Sequence, residues 1–326
     1  MARYGPIAMS SPAVMPERAP RRCLPLLLLL FQGTAWGLTF PTSKIAVENG
    51  IGPAAYVFWQ TLGAGSVLML VALARRRPPR WDLRHLAYYA YCGIVGITLP
   101  NAILLAAVAH MPASVQALIV NLSPLVTLAI ALTIGMERFQ WRRAAGLVIG
   151  FGGAALLLLN GADLGGAAAL AWVLVAFLGP LCYASVSVFN QRYRPAGSDS
   201  LSLACGMLIV GFLGAAPLAA IRGEIQPLWP MGPGEIAVMI QIAASVCGTV
   251  VQFEVIRMAG AVFFSQVTYI TAATALIWSY LLLDEALSPL QGLAMLLIFA
   301  GLLLVNWQQR RRIGRAVVPS PVPGES

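Results

Sequence analysis

The sequence predicts an all-α integral membrane protein with ten transmembrane helices, arranged as two inverted five-helix repeats. Three observations lead to this prediction: a strongly apolar composition, apolar runs of membrane-spanning length along the whole chain, and a self-match between its halves. Of 326 residues, 59% are hydrophobic and 10% are charged, and the mean hydropathy is +0.79. An ordinary soluble domain has about 25% charged residues. The composition therefore excludes a water-soluble fold.

The apolar runs are long enough to be transmembrane helices, since about 20 helical residues cross a hydrocarbon core of ~30 Å. Backbone groups in lipid must be hydrogen-bonded within the segment, and these runs are too long and too uniformly apolar for barrel strands. The predicted spans are 24–45, 54–74, 86–108, 113–135, 142–159, 168–189, 201–221, 235–256, 262–283 and 289–307.

The basic residues predict how these spans are oriented, because Lys and Arg of short loops are kept on the cytoplasmic side. With the N-terminus inside, only Lys44 and Arg222 of the 21 basic residues fall outside the cytoplasm. One lysine against twenty arginines, with abundant Ala and Gly, is typical of a GC-rich bacterial gene. We therefore expect a multi-pass protein of the bacterial inner membrane, with residues 1–22 and 308–326 as cytoplasmic tails.

A self-match divides the chain into two halves. Residues 113–156 align without gaps with residues 261–304, at a constant offset of 148 (261 minus 113). Both copies contain a span, an acidic residue at its exit (Glu137 and Glu285), a short turn and a second span. Each repeat holds five spans, and an odd number forces the two repeats into opposite orientations. Inverted repeats recur in secondary transporters, in which two related halves expose a central site alternately.

Three motifs along the chain carry a resemblance to a known family. They are Gly33-Thr-Ala-Trp36-Gly37 with Lys44, Ala113-Ser114 through Ser123-Pro124-Leu125 to Glu137, and Leu283-Asp-Glu-Ala-Leu-Ser-Pro-Leu-Gln291 to Gly301. In this order they resemble the EamA-type transporters of the drug/metabolite transporter superfamily. The resemblance implies two EamA repeats of five transmembrane helices, at 23–159 and 168–307. It also implies efflux of small metabolites, amino acids or drugs, driven by a proton or solute gradient.

The sequence departs from that family pattern at two positions. Gln60 stands where many relatives have an arginine, and Ala294 stands where the second repeat commonly has glycine. The first departure argues against borrowing a mechanism that uses the arginine.

The sequence contains no motif for ATP hydrolysis or for enzyme chemistry. GxxxxGK[ST] and HExxH are absent, and no two intramembrane aspartates are placed to share a proton. We expect no enzyme activity, no catalytic residue, no cofactor and no metal site. The basic residues lie in short loops and form no single stripe, so nucleic acid is not an expected partner.

Polar side chains recur at helical spacing within several spans. Gln32, Trp36, Thr39 and Ser43 follow at i, i+4, i+7 and i+11 in the first span. Such a stripe forms either a solute path or ordinary hydrogen bonds between helices. The candidate substrate-binding residues are Gln32, Trp36, Thr39, Ser43, Lys44, Asn101, Asn121, Tyr183, Gln252, Gln266, Tyr269 and Trp278.

Two ionisable residues within predicted spans have open roles. Glu254 precedes Arg257 by three residues, so it is either an ion-pair partner or the proton-coupling carboxylate. Lys44 is either an interfacial anchor near Glu48 or a substrate contact. The expected partners are a small-molecule substrate, the lipid bilayer and a proton gradient, and the protein is a monomer or a homodimer. The alternative functions are a non-transporting membrane scaffold and a passive channel.

Overall fold

A computed structural model describes residues 23–107, 119–159 and 166–283, together with scattered positions between 289 and 304. Within these ranges the regular structure is entirely helical, and no strand occurs. Seven helical segments of this part of the chain are long and apolar enough to cross a membrane. They are Leu24–Glu48, Pro53–Ala74, Leu83–Leu104, Leu174–Tyr193, Ser200–Ile221, Pro233–Ala259 and Ala261–Leu282.

The α-helices are numbered here in chain order, and a π-helical segment, Tyr91–Thr98, joins α4 to α5. They are α1 (Leu24–Gly37), α2 (Thr39–Glu48), α3 (Pro53–Ala74), α4 (Leu83–Ala90), α5 (Leu99–Ala107), α6 (Ser123–Thr133), α7 (Trp141–Leu159), α8 (Gly166–Tyr193), α9 (Ser200–Ile221), α10 (Pro233–Ala259), α11 (Ala261–Phe264) and α12 (Val267–Leu283).

The seven membrane-spanning segments coincide, within a few residues, with the first three predicted spans and with the sixth to the ninth. Helix α7 begins one residue before the predicted span 142–159 and ends with it, and α6 covers part of the span 113–135. The predicted tails 1–22 and 308–326 and most of the span 289–307 lie outside the described residues. The all-helical membrane fold is thus confirmed, whereas the count of ten stays a prediction.

The first span is interrupted at Leu38, between α1 and α2. Pro41 explains the interruption, because proline has no N–H to donate to the carbonyl four residues earlier, which is that of Gly37. Thr42, one residue further on, donates from Oγ1 to the Leu38 carbonyl at 2.6 Å. The break therefore falls in the middle of the predicted polar stripe.

The third span widens into a π-helix before Pro100, which likewise lacks a donor for the carbonyl of Gly96. Asn101 donates from Nδ2 to the Ile97 carbonyl at 2.6 Å. The amide of Asn101 is therefore hydrogen-bonded locally, within its own span. A similar bond precedes Pro124, which has no N–H to donate to the Val120 carbonyl. The Ser123 Oγ donates to that carbonyl instead, at 2.6 Å.

Helix packing follows a regular scheme. Helix α3 packs along α9, α1 packs against both α10 and α12, and α8 packs against both α5 and α6. Helix α10 also contacts α2 and α3, and the π-helical segment contacts α9. The largest buried apolar cluster lies where α3, α9 and the third span meet, and includes Leu68, Tyr89 and Leu203. These contacts place α1, α3, α10 and α12 around one region of the bundle.

Candidate functional site

A group of polar side chains lies where α1, α2, α3 and α10 meet, and we call it the central polar cluster. Its members are Trp36, Thr39, Gln60, Gln241 and Ser245, and Gln32 lies beside it, one turn before Trp36 on α1. Thr39 donates from Oγ1 to Gln241 Oε1 at 3.1 Å, and Gln60 donates from Nε2 to Ser245 Oγ at 3.1 Å. Gln241 and Ser245 are one turn apart on α10 and buried. The cluster thus connects three spans through side chains.

Trp36 lies within this cluster because the facing residue of α10 is a glycine. A Cβ atom on Gly248 would lie 2.5 Å from Trp36 Nε1, so only glycine leaves room for the indole at its observed position. The indole also meets Phe264 of α11 edge-on, with 6.3 Å between ring centroids. The indole is therefore held between two helices, one turn from Thr39.

Three polar side chains of α1 and the α12 region have buried atoms without a hydrogen-bond partner among the described residues. Gln32 is completely buried, and neither its Oε1 nor its Nε2 has a partner within the described ranges. Gln266, just before α12, is equally buried, and its Oε1 has no partner among the described residues; the same is true of Thr271 Oγ1 on α12. The Nε2 of Gln266 donates only weakly, to Val262 O at 3.5 Å. Leaving such groups unpaired costs about 1–3 kcal/mol each.

Three other candidates make hydrogen bonds to backbone carbonyls. Ser43 donates from Oγ to Phe40 O at 2.9 Å within its own helix. Trp278 donates from Nε1 to Thr34 O at 2.9 Å, and buried Tyr269 donates from its hydroxyl to Leu147 O at 3.1 Å. The last two bonds join α12 to α1 and to α7. Such bonds are what ordinary packing between membrane helices also requires.

The remaining candidates are spread over the bundle. Gln252 is buried on α10, one turn beyond Gly248, and Asn121 is buried just before α6. Tyr183 is half-buried on α8, and Lys44 is exposed on α2. The structure therefore places Trp36 and Thr39 in one cluster, with Gln32 one turn before Trp36. Asn101, Asn121 and Tyr183 lie on other parts of the bundle, and Lys44 lies further along α2.

Glu254 belongs to a charged network at the end of α10. It forms an ion pair with Arg257, and Ser200 Oγ donates to its Oε2 at 2.8 Å. Arg194, just after α8, donates to Phe253 O at 2.9 Å and to Ser200 Oγ at 3.0 Å. Burial lowers the pKa of Arg194. This network ties the start of α9 to the ends of α8 and α10.

A second network lies at the same end of the bundle, at the start of α4. The imidazole of His85 is nearly buried, with Nδ1 2.6 Å from Asp82 Oδ2 and Nε2 2.8 Å from Ser198 Oγ. The hydrogen bond from the His85 side chain, and a second from its backbone N–H, hold the pKa of Asp82 below its usual range. Asp82 is also the N-cap of α4.

The structure also reveals polar residues that were absent from the predicted set. Gln60 and Ser245 bond each other across α3 and α10, and Asn190 is buried on α8. A signal for Asn190 was present in the sequence. Tyr183, Ser187, Asn190 and Arg194 repeat the i, i+4, i+7, i+11 spacing of the first span. Within the described ranges, no group of three or more His, Cys, Asp or Glu residues could hold a metal ion.

Comparison with known proteins identifies relatives over nearly the whole chain. The model of the EamA-like transporter family matches residues 24–159 and 170–307. A protein of Streptantibioticus cattleyicolor, "Probable terminal-alkyne amino-acid exporter", is 24% identical over 88% of this chain and 94% of its own. The "Uncharacterized transporter YvbV" of Bacillus subtilis is 25% identical over 89% of this chain and 94% of its own.

A solved crystal structure has the same fold. It superposes with a TM-score of 0.75 at 18% identity, covering 88% of this chain and 99% of the other. The helical bundle, its membrane-spanning segments and the family match over most of the chain agree with one another. This chain belongs to the EamA-like transporter family and is a multi-pass membrane transporter.

Proposed function

We propose that this protein is a secondary active transporter that exports a small metabolite, amino acid or drug across the bacterial inner membrane by alternating access. The observation that carries the proposal is the central polar cluster, with the unpaired amide of Gln32 beside it. The full-length similarity to an amino-acid exporter supports a small polar solute as cargo.

The amide of Gln32 is unusual because burial without partners destabilises the fold. Its side chain offers one acceptor and two donor hydrogens, and no described residue bonds to any of them. A buried polar group without a partner therefore calls for an explanation beyond packing. A solute that enters between α1 and α12 and hydrogen-bonds Gln32 supplies that explanation, because it restores the missing bonds.

The packing scheme supports the inverted repeat. In such a repeat, span n of one half corresponds to span n+5 of the other. The contact of α1 with α12 then corresponds to that of α8 with α6, and the contact of α1 with α10 to that of α8 with α5. The contact of α3 with α10 corresponds to that of the π-helical segment with α9, and α3 against α9 maps onto itself.

We propose ten helices in two repeats, at 23–159 and 168–307, flanked by cytoplasmic tails at 1–22 and 308–326. The two separate matches of the family model, at 24–159 and 170–307, support this division. The arginine distribution supports an inner-membrane topology with both termini cytoplasmic. In this topology α8 and α10 both end at the cytoplasmic face.

Transport can be tested by counterflow in liposomes that contain the purified protein. Saturable exchange of a labelled solute is expected for at least one member of a panel of amino acids, amines and drugs. A scaffold would give no flux, and a channel would give flux without counterflow. Absence of counterflow across the panel would refute the proposed function.

The Gln32→Leu variant tests the site itself. Removal of an unpaired buried amide is expected to leave folding intact or to stabilise it by about 1–3 kcal/mol, while transport is lost. The same change at exposed Gln226, in the loop between α9 and α10, is the control and should leave transport unchanged. Wild-type transport by the Gln32→Leu variant would remove Gln32 from the solute path.

Coupling to protons is proposed at Glu254. Its ion pair with Arg257 and its bond from Ser200 would both weaken on protonation, which would loosen the contact of α9 with α10. Glu254→Gln should therefore abolish pH-driven uptake without lowering expression. Retention of the wild-type pH dependence would assign Glu254 to the ion pair alone.

A further inference from the structure

A cavity with a volume of about 330 Å³ lies between the end of α8 and the end of α10, separate from the central polar cluster. Its side-chain lining includes Asn190, Gln191, Arg194 and Arg257, and Gly260 closes one side. Cavities of this size hold small metabolites in many proteins. None of these residues belongs to the proposed solute path.

Asn190 is the buried polar residue of this cavity. Its side chain is 1% exposed, and its Oδ1 accepts a hydrogen bond from the Tyr88 hydroxyl at 2.5 Å. The Nδ2 atom has no hydrogen-bond partner in the part of the chain that the structure describes. Because Oδ1 is already bonded to Tyr88, the hydrogen-bonding capacity that remains at Asn190 is that of a donor.

Gln191 also has an amide N–H group available as a donor. Its Oε1 accepts from the backbone N–H of Ala261 at 2.7 Å, which fixes the amide so that Nε2 is its remaining group. A Cβ atom on Gly260 would lie 3.2 Å from Gln191 Oε1, closer than ordinary contact. The side-chain groups left over by Asn190 and Gln191 are therefore N–H donors.

The charges of the cavity, like its N–H donors, favour an anionic ligand. Two guanidinium groups, Arg194 and Arg257, line it, and the neighbouring carboxylate Glu254 is paired with Arg257. One positive charge thus remains in excess. The last carbonyls of α10 lie at the same end and oppose an anion, but the partial charge of a helix end is only about half a unit.

We propose that this cavity binds an oxyanion, a carboxylate or a phosphate group, through Asn190, Gln191 and the two arginines. Amide and guanidinium N–H groups are the donors that such anions accept in proteins. The anion belongs either to a free solute or to the headgroup of an anionic lipid, because the cavity lies at the end of two membrane-spanning helices. The inference concerns binding and does not depend on which solute is transported.

Binding can be measured as thermal stabilisation of the full-length protein in phosphatidylcholine nanodiscs. Inorganic phosphate and acetate are titrated separately, with chloride replacing them to keep the ionic strength constant. In a second arm no anion is added, and phosphatidylglycerol replaces part of the phosphatidylcholine. Saturable stabilisation in the first arm assigns the site to free oxyanions, and stabilisation in the second arm alone assigns it to a lipid headgroup.

Isosteric variants link the response to the cavity. Gln191→Glu keeps the acceptor for Ala261 but replaces the donor, and as an exposed residue it should not disturb folding. Asn190→Asp does the same while keeping the bond to Tyr88. Each is expected to weaken binding about tenfold, which corresponds to the loss of one hydrogen bond to a charged group. Gln226→Glu makes the same chemical change outside the cavity and should leave binding unchanged.

Two results would overturn the proposal. One is the absence of stabilisation by phosphate, acetate and phosphatidylglycerol in the wild type. The other is a wild-type response from Gln191→Glu, whether or not Asn190→Asp folds. Counterflow is measured independently, so failure of the anion site and failure of the transport proposal are distinguishable.

Discussion

Gly93→Ala is expected to force the third span away from α9. Gly93 lies in the π-helical segment, and a Cβ atom there would lie 2.7 Å from Met207 O and 2.8 Å from Gly211 N. Both neighbours are backbone atoms of α9, so no side-chain rotation relieves the overlap. Ordinary contact begins near 3.5 Å, so the helices must separate by about 0.8 Å to relieve the shorter contact.

The expected destabilisation follows from that overlap. Overpacking a well-packed core costs about 1–3 kcal/mol, and the rigidity of the backbone neighbours favours the upper half of this range. Replacing a helical glycine with alanine also stabilises the fold by about 0.5–1 kcal/mol, because the unfolded chain becomes less flexible. We therefore expect a net loss of about 1–2 kcal/mol in the free energy of unfolding.

Gly152→Ala provides the matched control, because a Cβ atom on Gly152 of α7 would meet no atom of a described residue within 4 Å. Both glycine-to-alanine changes reduce the flexibility of the unfolded chain to a similar extent. The difference between the two variants in free energy of unfolding therefore measures the overpacking cost alone, about 2–3 kcal/mol. Equilibrium unfolding in mixed detergent micelles measures both free energies. If Gly93→Ala is as stable as Gly152→Ala, the close approach of the third span to α9 is wrong.

Three further predictions concern other parts of the bundle. Glu224 Oε2 accepts from the backbone N–H groups of Ala54 and Ala55 at 2.8 and 3.2 Å and so caps α3. Glu224→Ala should therefore lower the free energy of unfolding by about 1–2 kcal/mol, and an unchanged unfolding midpoint would disprove the cap. Gly248→Ala should displace the Trp36 indole and slow transport with a shift in tryptophan fluorescence, whereas wild-type emission and flux would contradict the assigned packing. Asp82 has a folded-state pKa below its ordinary value of 3.8, so its charge stabilises the fold above that value and the stabilisation is lost as the pH falls through the folded-state pKa. The unfolding temperature of the wild type should exceed that of Asp82→Asn at pH 7, by a margin that shrinks below about pH 4; a constant margin would refute the linkage.

Much of the fold could be predicted from the sequence, because the membrane imposes simple requirements. Each span needs about 20 apolar residues with internal hydrogen bonds, and this requirement alone located seven helical segments to within a few residues. The prolines at positions 41 and 100 also act locally, through a missing donor four residues from a carbonyl, so breaks near them are predictable. These features need no knowledge of which helices are neighbours.

The candidate site was predictable only in part. The i, i+4, i+7 spacing placed Gln32, Trp36 and Thr39 on one face of the first span, and the structure has Trp36 and Thr39 in the central polar cluster with Gln32 beside it. The same reasoning grouped Ser43 with them, but Ser43 bonds its own helix at Phe40. Spacing identifies a face, whereas the neighbour that the face meets depends on packing between helices.

The sequence by itself determined that this protein is an all-helical membrane protein, where seven of its spans lie and which family it belongs to. Only the tertiary structure decided that Gln60 meets Ser245, that Gly248 makes room for Trp36, and that the amides of Gln32 and Asn190 keep unpaired groups. The physical reason is that hydropathy and periodicity are local properties of one helix. Hydrogen-bond partners and cavities arise between helices that are far apart in the chain, and they depend on distances that no single span encodes.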